Sequence, residues 1–252
     1  MVFHELGRIL KKTALGKECF SLWLETTKIA KNSSPGQFVA IRLPSASDPF
    51  LRRPLAIADT QEMNLRIIFK IRGRGTQILS EKHEGDFVSI LGPLGNPIPS
   101  FENKEVVIVG GGIGIAPLLY LVKNLASEKK ILVFLGAKTQ QELILRDEFW
   151  RLSSEIYLCT EDGELGEKGL VTDIIQSYRN KIPKEGVIFA GGPLPMYRRL
   201  RSILSNKIYA FLEERMGCGT GLCLSCAVPK KEGGYLHLCK DGPVIDLEAI
   251  NL

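Results

Sequence analysis

Near its middle the chain reads Val106-Val107-Ile108-Val109-Gly110-Gly111-Gly112-Ile113-Gly114-Ile115-Ala116-Pro117. The apolar β-branched run predicts a buried strand, and residues 116–126 after the glycines predict a helix. Glycines between a strand and a helix let a ligand approach the backbone at the helix N-terminus, where N–H groups attract phosphate. Because the spacing is not G-x-G-x-x-G, a purely structural turn is the alternative interpretation.

The alternation of strands and helices continues on the C-terminal side of this stretch. It predicts a doubly wound parallel sheet with helices on both faces. A second glycine turn, Gly191-Gly192-Pro193, follows the predicted strand at 187–190 and lies at the carboxyl end of the same sheet, where such folds bind ligands. The other predicted elements are strands at 131–135, 155–159 and 207–212 and helices at 142–151, 170–178 and 193–204.

The N-terminal side has a different pattern, in which short apolar runs are separated by turn residues. This pattern predicts a small antiparallel β-barrel or sandwich. The segment 96–100, with two prolines, is interpreted as a linker. We therefore predict a β domain at 1–100, an α/β domain at 101–210 and a C-terminal module at 211–252. The predicted strands of the first domain are 19–25, 38–43, 65–71 and 87–91.

Two basic segments stand in the predicted β domain. In the first, Arg52 and Arg53 precede the apolar run 54–57, and the arginine fork suits the oxygens of a pyrophosphate. The second, residues 70–76, combines Lys70 and two more cations with two glycines. A basic hairpin exposed to solvent is the alternative interpretation of either segment.

Four of the six cysteines lie close together near the C-terminus, with the spacing C-x4-C-x2-C and a fourth after twelve residues. The first part is the plant-type [2Fe–2S] spacing, and the glycines among these residues allow a tight loop. Structural zinc is the alternative, although its ligands usually come in two separated pairs. The size of the chain and residues 1–6, which are unlike a signal peptide, argue against a disulfide framework. The four are Cys218, Cys223, Cys226 and Cys239, whereas Cys19 and Cys159 are predicted to be ordinary buried thiols.

Composition excludes other classes of function. The net charge of +5 is spread along the chain without a block of like charge, so we expect no nucleic-acid partner. Residues 106–122 approach the shortest membrane-spanning length, but their glycines and proline favour strand, turn and helix, so we expect no membrane span. A cytoplasmic location is expected.

The order of these segments resembles the ferredoxin–NADP reductase superfamily, which joins a flavin-binding barrel to a nicotinamide-binding domain. Within it, Glu213-Glu214-Arg215-Met216-Gly217-Cys218-Gly219 and Cys239-Lys240-Asp241-Gly242-Pro243-Val244 closely resemble one family. That family is the electron-transfer subunit of dihydroorotate dehydrogenase B. The resemblance covers essentially the whole chain, and the C-terminal segment is its specific part.

The resemblance implies an oxidoreductase subunit with FAD, a [2Fe–2S] cluster and NAD as cofactors and no catalytic side chain of its own. It implies that a partner subunit oxidises dihydroorotate at FMN and that electrons then pass through the cluster and FAD to NAD+ in pyrimidine biosynthesis, within a heterotetramer. Arg53 would lie on the FAD pyrophosphate. The implied cofactor contacts are Arg53, Pro54, Leu55, Ala56, Lys70, Ile71, Gly75 and Thr76 for FAD; Gly111, Gly112, Gly114, Pro117, Gly192 and Pro193 for nicotinamide; and Cys218, Cys223, Cys226 and Cys239 for the cluster.

Two positions depart from the pattern that the resemblance carries. Ala56 stands where the family commonly has serine, and Gly191 stands where the superfamily often has cysteine, so a hydroxyl and a thiol are absent. Both departures bear on hydride transfer more than on cofactor binding. Acidic residues at 161–162 favour NAD over NADP, because they would repel a 2′-phosphate. A related reductase that serves another acceptor and a zinc-stabilised module without enzymatic activity are the alternatives.

Overall fold

The computed structural model describes residues 1–43 and 49–252, which form two compact units. The first unit contains residues 1–98, 213–228 and 235–243, and the second contains 99–212, 229–234 and 244–252. The predicted fold class, a barrel, a parallel-sheet domain and a C-terminal iron–sulfur segment, is confirmed. The predicted module at 211–252 is divided between both units, and the three-domain division stays a prediction.

The first unit is a closed barrel in which six antiparallel strands follow the order β1-β2-β5-β4-β3-β6. Inward positions such as Ile9, Leu22 and Ile67 are completely buried, which fixes the register because a slip of one residue would turn them outwards. The list of predicted elements lacks β1, whose outer face mixes charged and apolar residues, and α1, which interrupts the all-β pattern. The apolar run at 54–57 is part of a longer strand, β4. The bounds are β1 Phe3–Gly16, β2 Cys19–Glu25, β3 Phe38–Arg42, β4 Arg53–Gln61, β5 Asn64–Lys70, α1 Arg74–Glu81 and β6 Phe87–Leu94.

The second unit is built on a parallel sheet whose central strands are buried apolar runs. Its helices begin close to the predicted positions, except that the helix predicted at 142–151 starts only at Arg146, after a short 3-10 turn. No helix in the described ranges has the length and apolar character needed to cross a bilayer. The bounds are β7 Glu105–Gly111, α2 Ala116–Leu125, β8 Lys130–Ala137, α3 Arg146–Leu152, β9 Glu155–Thr160, β10 Glu167–Lys168, α4 Val171–Ser177, β11 Val187–Gly191, α5 Leu194–Ile203 and β12 Ile208–Phe211.

The C-terminal segment contributes to both units. It contains β13 Ala227–Pro229, β14 Tyr235–His237, α6 Leu238–Asp241 and β15 Val244–Asp246. Strands β13 and β14 form a small hairpin, whereas β15 pairs antiparallel with β12 and completes the sheet of the second unit. This sheet has the order β10-β9-β8-β7-β11-β12-β15.

The order of the second sheet positions its glycine turns. From β7 the chain moves outwards through β8, β9 and β10, and it then returns to place β11 on the other side of β7. Gly110 and Gly191, at the carboxyl ends of these two strands, are direct partners in the register. Ligands of doubly wound folds bind outside the carboxyl ends of the strands at such a reversal.

Candidate cofactor sites

The residues predicted to contact FAD lie on neighbouring elements of the barrel unit. Strand β4 begins at Arg53 and carries four consecutive predicted contacts, each half-buried, and it pairs with β5, which ends at Lys70. Ile71 follows, and its N–H donates to the carbonyl of Glu18 at 2.8 Å. The side chain of Ala56, whose strand partner is Phe38, is half-buried and offers no hydrogen bond.

Arg53 and Gly75 are brought into direct contact. A Cβ at Gly75 would lie 2.2 Å from Nε of Arg53, so the arginine occupies the space that a side chain there would need. Its Nη1 donates to the carbonyl of Leu51. Gly75 lies in the first turn of α1, where backbone N–H groups have no partner within the helix. A guanidinium and a helix N-terminus therefore meet at one place, which suits an anionic group such as pyrophosphate.

Thr76 shapes the loop that precedes this helix. Its Oγ1 accepts from the N–H groups of Arg72 at 2.9 Å and Gly73 at 3.2 Å and donates to the carbonyl of Gly73 at 3.0 Å. The hydroxyl thus folds residues 72–76 into a cap that begins α1. Thr76 therefore fixes the conformation of the cap, and the cap in turn positions the backbone of Gly75 beside Arg53.

Arg52 has a different environment from its neighbour. Its guanidinium donates to the carbonyls of Ala40 at 3.2 Å and Ser89 at 3.1 Å and to Oγ of Ser89 at 3.2 Å. Burial, followed by the nearby charge of Arg42, lowers its pKa. Arg52 therefore connects the neighbouring strands β3 and β6, which leaves Arg53 as the arginine beside α1.

The two glycine turns of the second unit contact each other through their backbones. A Cβ at Gly114 would lie 2.4 Å from both the carbonyl carbon of Gly191 and the nitrogen of Gly192, and a Cβ at Gly191 would lie 2.2 Å from the carbonyl oxygen of Gly114. By contrast, Gly112 has φ of +57° and nothing within 4 Å of its Cβ position. The first turn is therefore open at Gly112 and closed at Gly114.

The close contact gives a physical reason for glycine at position 191. A cysteine there would place its Cβ against the backbone of Gly114, which has no flexible end to move aside. Pro117 is buried within the first turn of α2, and Pro193 lies beside Gly111 as the residue that precedes α5. These prolines shape the helix starts.

The loop after β9 is closed by its own polar groups. The buried hydroxyl of Thr160 accepts from the N–H of Leu165 and donates to its carbonyl, both at 3.1 Å. The Asp162 carboxylate accepts from the N–H of Glu164 at 3.0 Å, and this hydrogen bond lowers its pKa. Glu161 and Asp162 are both exposed, and they place negative charge at the carboxyl edge of the sheet.

The four cysteines predicted as cluster ligands form two pairs in the barrel unit. Cys218 and Cys223 each donate a backbone N–H to the sulfur of the other, at 3.3 and 3.4 Å. The sulfurs of Cys226 and Cys239 are 3.3 Å apart, and both residues are buried. Among the described residues, no three metal-binding side chains converge as one metal ion would require. Two pairs of thiols suit a two-iron cluster.

Backbone N–H groups point at these sulfurs. Thr220 donates to the sulfur of Cys218 at 3.3 Å, and Gly221 donates to that of Cys239 at 3.1 Å. Burial raises the pKa of Cys218, but hydrogen bonds from the N–H groups of Cys223 and Thr220 outweigh it and lower the pKa to about 5. Burial and the hydrogen bond with Cys226 raise the pKa of Cys239 to about 12, so metal binding there releases a proton.

Two features attach the cysteine segment to the barrel. Gly219 has φ of +72°, and its Cβ position lies 3.4 Å from Leu94 and 3.8 Å from Phe38. Asn96 donates its backbone N–H to the carbonyl of Gly242 at 2.6 Å and its side-chain amide to the carbonyl of Lys240 at 2.9 Å. From its local sequence Asn96 is predicted to belong to a linker, because partners far along the chain leave no local signal.

Comparisons with known proteins agree with this arrangement. A profile of the iron–sulfur cluster binding domain of dihydroorotate dehydrogenase B matches residues 213–251, and a profile of the oxidoreductase NAD-binding domain matches residues 108–202. The chain is 37% identical over 253 residues to the dihydroorotate dehydrogenase B (NAD(+)) electron transfer subunit of Geobacillus sp. strain WCH70, covering 97% of each chain.

Two solved structures are similar to this chain. The structure of an NADH-dependent reduced ferredoxin-NADP oxidoreductase, described for flavin-based electron bifurcation, has a TM-score of 0.89 and 33% identity, covering 98% of this chain and 90% of that one. A flavohemoglobin from Malassezia yamatoensis with bound FAD and heme has a TM-score of 0.68 and 21% identity, covering 82% and 59%. The second likeness concerns the fold alone.

The barrel, the parallel sheet and the paired cysteines together define a flavin- and nicotinamide-linked electron-transfer protein. The chain belongs to the family of dihydroorotate dehydrogenase B electron-transfer subunits. The predicted family, the oxidoreductase activity and the cofactors FAD, [2Fe–2S] and NAD are confirmed, whereas the individual contact residues stay predictions.

We predict that Gly75→Ala weakens FAD binding by displacing Arg53. Loss of a charge-assisted hydrogen bond costs about 1.5–3 kcal/mol, or about 10- to 150-fold in Kd. Arg53→Gln is expected to have a similar effect, and the double variant should bind FAD about as weakly as either single variant. FAD titration of the deflavinated protein, followed by flavin fluorescence, measures all three. Effects that multiply in the double variant would show that Gly75 acts independently of Arg53.

We also predict that Gly191→Ala destabilises the second unit more than Gly111→Ala. The added methyl at position 191 meets backbone, whereas at position 111 its nearest neighbour is the flexible end of Met196, 2.9 Å away. Overpacking against atoms that cannot move costs about 1–3 kcal/mol. Urea unfolding of both variants measures the difference, and equal losses would contradict the backbone contact as its cause.

Proposed function

We propose that this chain carries electrons from the FMN of a dihydroorotate-oxidising partner subunit to NAD+, through a [2Fe–2S] cluster and FAD, in pyrimidine biosynthesis. Cys218, Cys223, Cys226 and Cys239 would hold the cluster. The observation that carries this proposal is that the paired cysteines and the strand β4 with Arg53 belong to one compact unit. Family membership supports the partner and the direction.

In this proposal the side chains and backbone of the chain hold and orient the cofactors. Arg53 and the first turn of α1 neutralise the FAD pyrophosphate, and the open turn at Gly112 presents N–H groups to the nucleotide. N–H groups of the cysteine loop stabilise thiolate sulfur. Bound FAD supplies the chemistry that links two-electron exchange with nicotinamide to one-electron exchange with a cluster. Glu161 disfavours a 2′-phosphate and so favours NAD.

The loop between the cysteines is the surface that we propose for partner docking. Leu222 is 84% exposed and Leu224 is 53% exposed, and both flank Cys223, which is also exposed. Leu224 has φ of +59°, which is uncommon for a residue with a Cβ. Apolar side chains beside a cluster would be covered by the partner. A heterotetramer and a cytoplasmic location, where thiols stay reduced, are parts of this proposal.

We predict that Cys226→Ser removes the cluster and separates two activities. Dihydroorotate-dependent reduction of NAD+ by the reconstituted complex should fall by more than about 100-fold, beyond the usual effect of outer-shell changes. NADH oxidation by ferricyanide should stay within about twofold of wild type, because FAD alone supports it. Cys159→Ser is the matched control, because both thiols are 1% exposed. Equal loss of both activities would contradict the division of tasks.

We predict that Leu222→Asp weakens association with the partner subunit. The substitution removes apolar contact and places an unpaired carboxylate in the interface, which together cost about 2 kcal/mol or more, or about 30-fold in Kd. Leu6→Asp, a matched change at a leucine 68% exposed on the outer face of β1, should leave the Kd unchanged. Titration calorimetry of the two subunits measures both. If the two variants bind alike, this loop is not the docking surface.

One observation favours a second candidate function. The 33% identity to the NADH-dependent reduced ferredoxin-NADP oxidoreductase extends over 98% of this chain, so a related reductase serving another acceptor fits the same fold. Assays with dihydroorotate and its oxidising subunit, and separately with reduced ferredoxin, distinguish the two. A zinc-stabilised module is not supported, because the matching C-terminal profile is that of an iron–sulfur domain.

A further inference from the structure

Tyr197, on α5, makes a contact that the cofactor assignments do not use. Its side chain is 1% exposed, and its Oη accepts from the N–H of Gly192 at 2.9 Å. The same hydroxyl donates to the carbonyl of Phe211, at the end of β12, at 2.7 Å. One buried hydroxyl thus connects the second glycine turn to the last parallel strand.

This contact changes what the second turn can offer a ligand. Backbone N–H groups at the carboxyl edge of a parallel sheet ordinarily serve as donors to phosphate. At Gly192 this donor is directed into the protein by Tyr197. The first turn, by contrast, has open space at Gly112, where nothing lies within 4 Å of the Cβ position, so a ligand can approach its backbone there. The two turns therefore differ in function. The first turn can offer N–H donors to a nucleotide, whereas the second turn bounds the opposite side of the binding site.

The position of the second turn depends on several close contacts. A Cβ at Gly192 would lie 2.6 Å from Cε of Met196 and 3.4 Å from Cα of Gly111, and Gly191 touches Gly114. A turn without side chains has little packing of its own to hold it, and glycine is conformationally permissive. The hydrogen bond that the N–H of Gly192 donates to Tyr197 fixes the position of this turn.

We propose that Tyr197 is a positioning residue for nicotinamide binding, which it serves by holding the Gly191-Gly192-Pro193 turn at the distance from the first turn that the nucleotide needs. This inference rests on the proposed function, since it takes the paired glycine turns as the NAD site. Tyr197 does not touch the nucleotide. It acts through the N–H of Gly192 and the carbonyl of Phe211, which both lose a partner when the hydroxyl is removed.

The test compares NAD+ binding to the oxidised holoenzyme by titration calorimetry, where no turnover occurs. Tyr197→Phe keeps the buried ring and removes the hydroxyl with both of its hydrogen bonds. We expect the Kd for NAD+ to rise about five- to tenfold, which corresponds to the bond with Gly192, the one that holds the turn. Tyr209→Phe removes a hydroxyl from the neighbouring strand β12, where its partner is Lys207, and should leave the Kd unchanged. In steady-state assays with ferricyanide, Tyr197→Phe should raise KM for NADH while kcat is kept.

Gly112→Ala distinguishes the failure of this inference from the failure of the proposed site. Its methyl group would enter the open space at the first turn, and we expect it to weaken NAD+ binding. If Gly112→Ala weakens binding but Tyr197→Phe only lowers Tm, the tyrosine is merely structural and the inference is wrong. If neither variant changes the Kd, the nucleotide does not bind at the paired turns, and both the inference and the proposed site are overturned.

Discussion

The close approach of backbone to its surroundings is the constraint on which the cofactor sites depend. At Gly114 and Gly191 two segments of the backbone are in contact, and any side chain at either position would collide with the other segment. At Gly75 the missing Cβ leaves room for the Arg53 guanidinium, whereas Gly219 is required for its φ of +72°, a backbone conformation that residues with a Cβ rarely adopt. The contacts at positions 75, 114 and 191 exclude every residue larger than glycine, because the atoms it would meet are backbone or are themselves needed at the site.

Because these contacts expose the backbone, its N–H groups become available as hydrogen-bond donors. The sulfurs of Cys218 and Cys239 accept such bonds from Thr220 and Gly221, and the first turn of α1 lies directly beside Arg53. These donors act over a short range and require a fixed conformation. Side-chain hydroxyls supply that fixation: Thr76 caps α1, and Tyr197 holds the second glycine turn. At these sites oriented backbone dipoles therefore act beside a small number of charged side chains.

Much of this arrangement could be predicted from local sequence. The strands and helices of the second unit have strong periodicity, the glycine turns interrupt them at the expected places, and cysteine spacing alone indicated the cluster. What could not be predicted depends on contacts between distant residues. Asn96 looks like a linker residue until its bonds to Lys240 and Gly242 are known, and Tyr197 is an ordinary apolar position of an amphipathic helix. Arg52 and Arg53 also have different environments, because one contacts β3 and β6 and the other contacts α1. Two adjacent arginines in a sequence do not indicate which of them faces which element.

The path of the chain through its two compact units has a consequence for how such a protein can be divided or recombined. After Leu212 the chain passes to the first unit, and it then alternates between the units until β15 completes the second sheet. A fragment that stops at Leu212 would leave β12 as an unpaired sheet edge, which invites aggregation. A fragment that starts at Glu213 would carry the cysteines without the barrel residues that support their loop. The cysteine segment therefore cannot be moved by itself. Transfer of this segment to another reductase, by recombination or by engineering, must include both compact units.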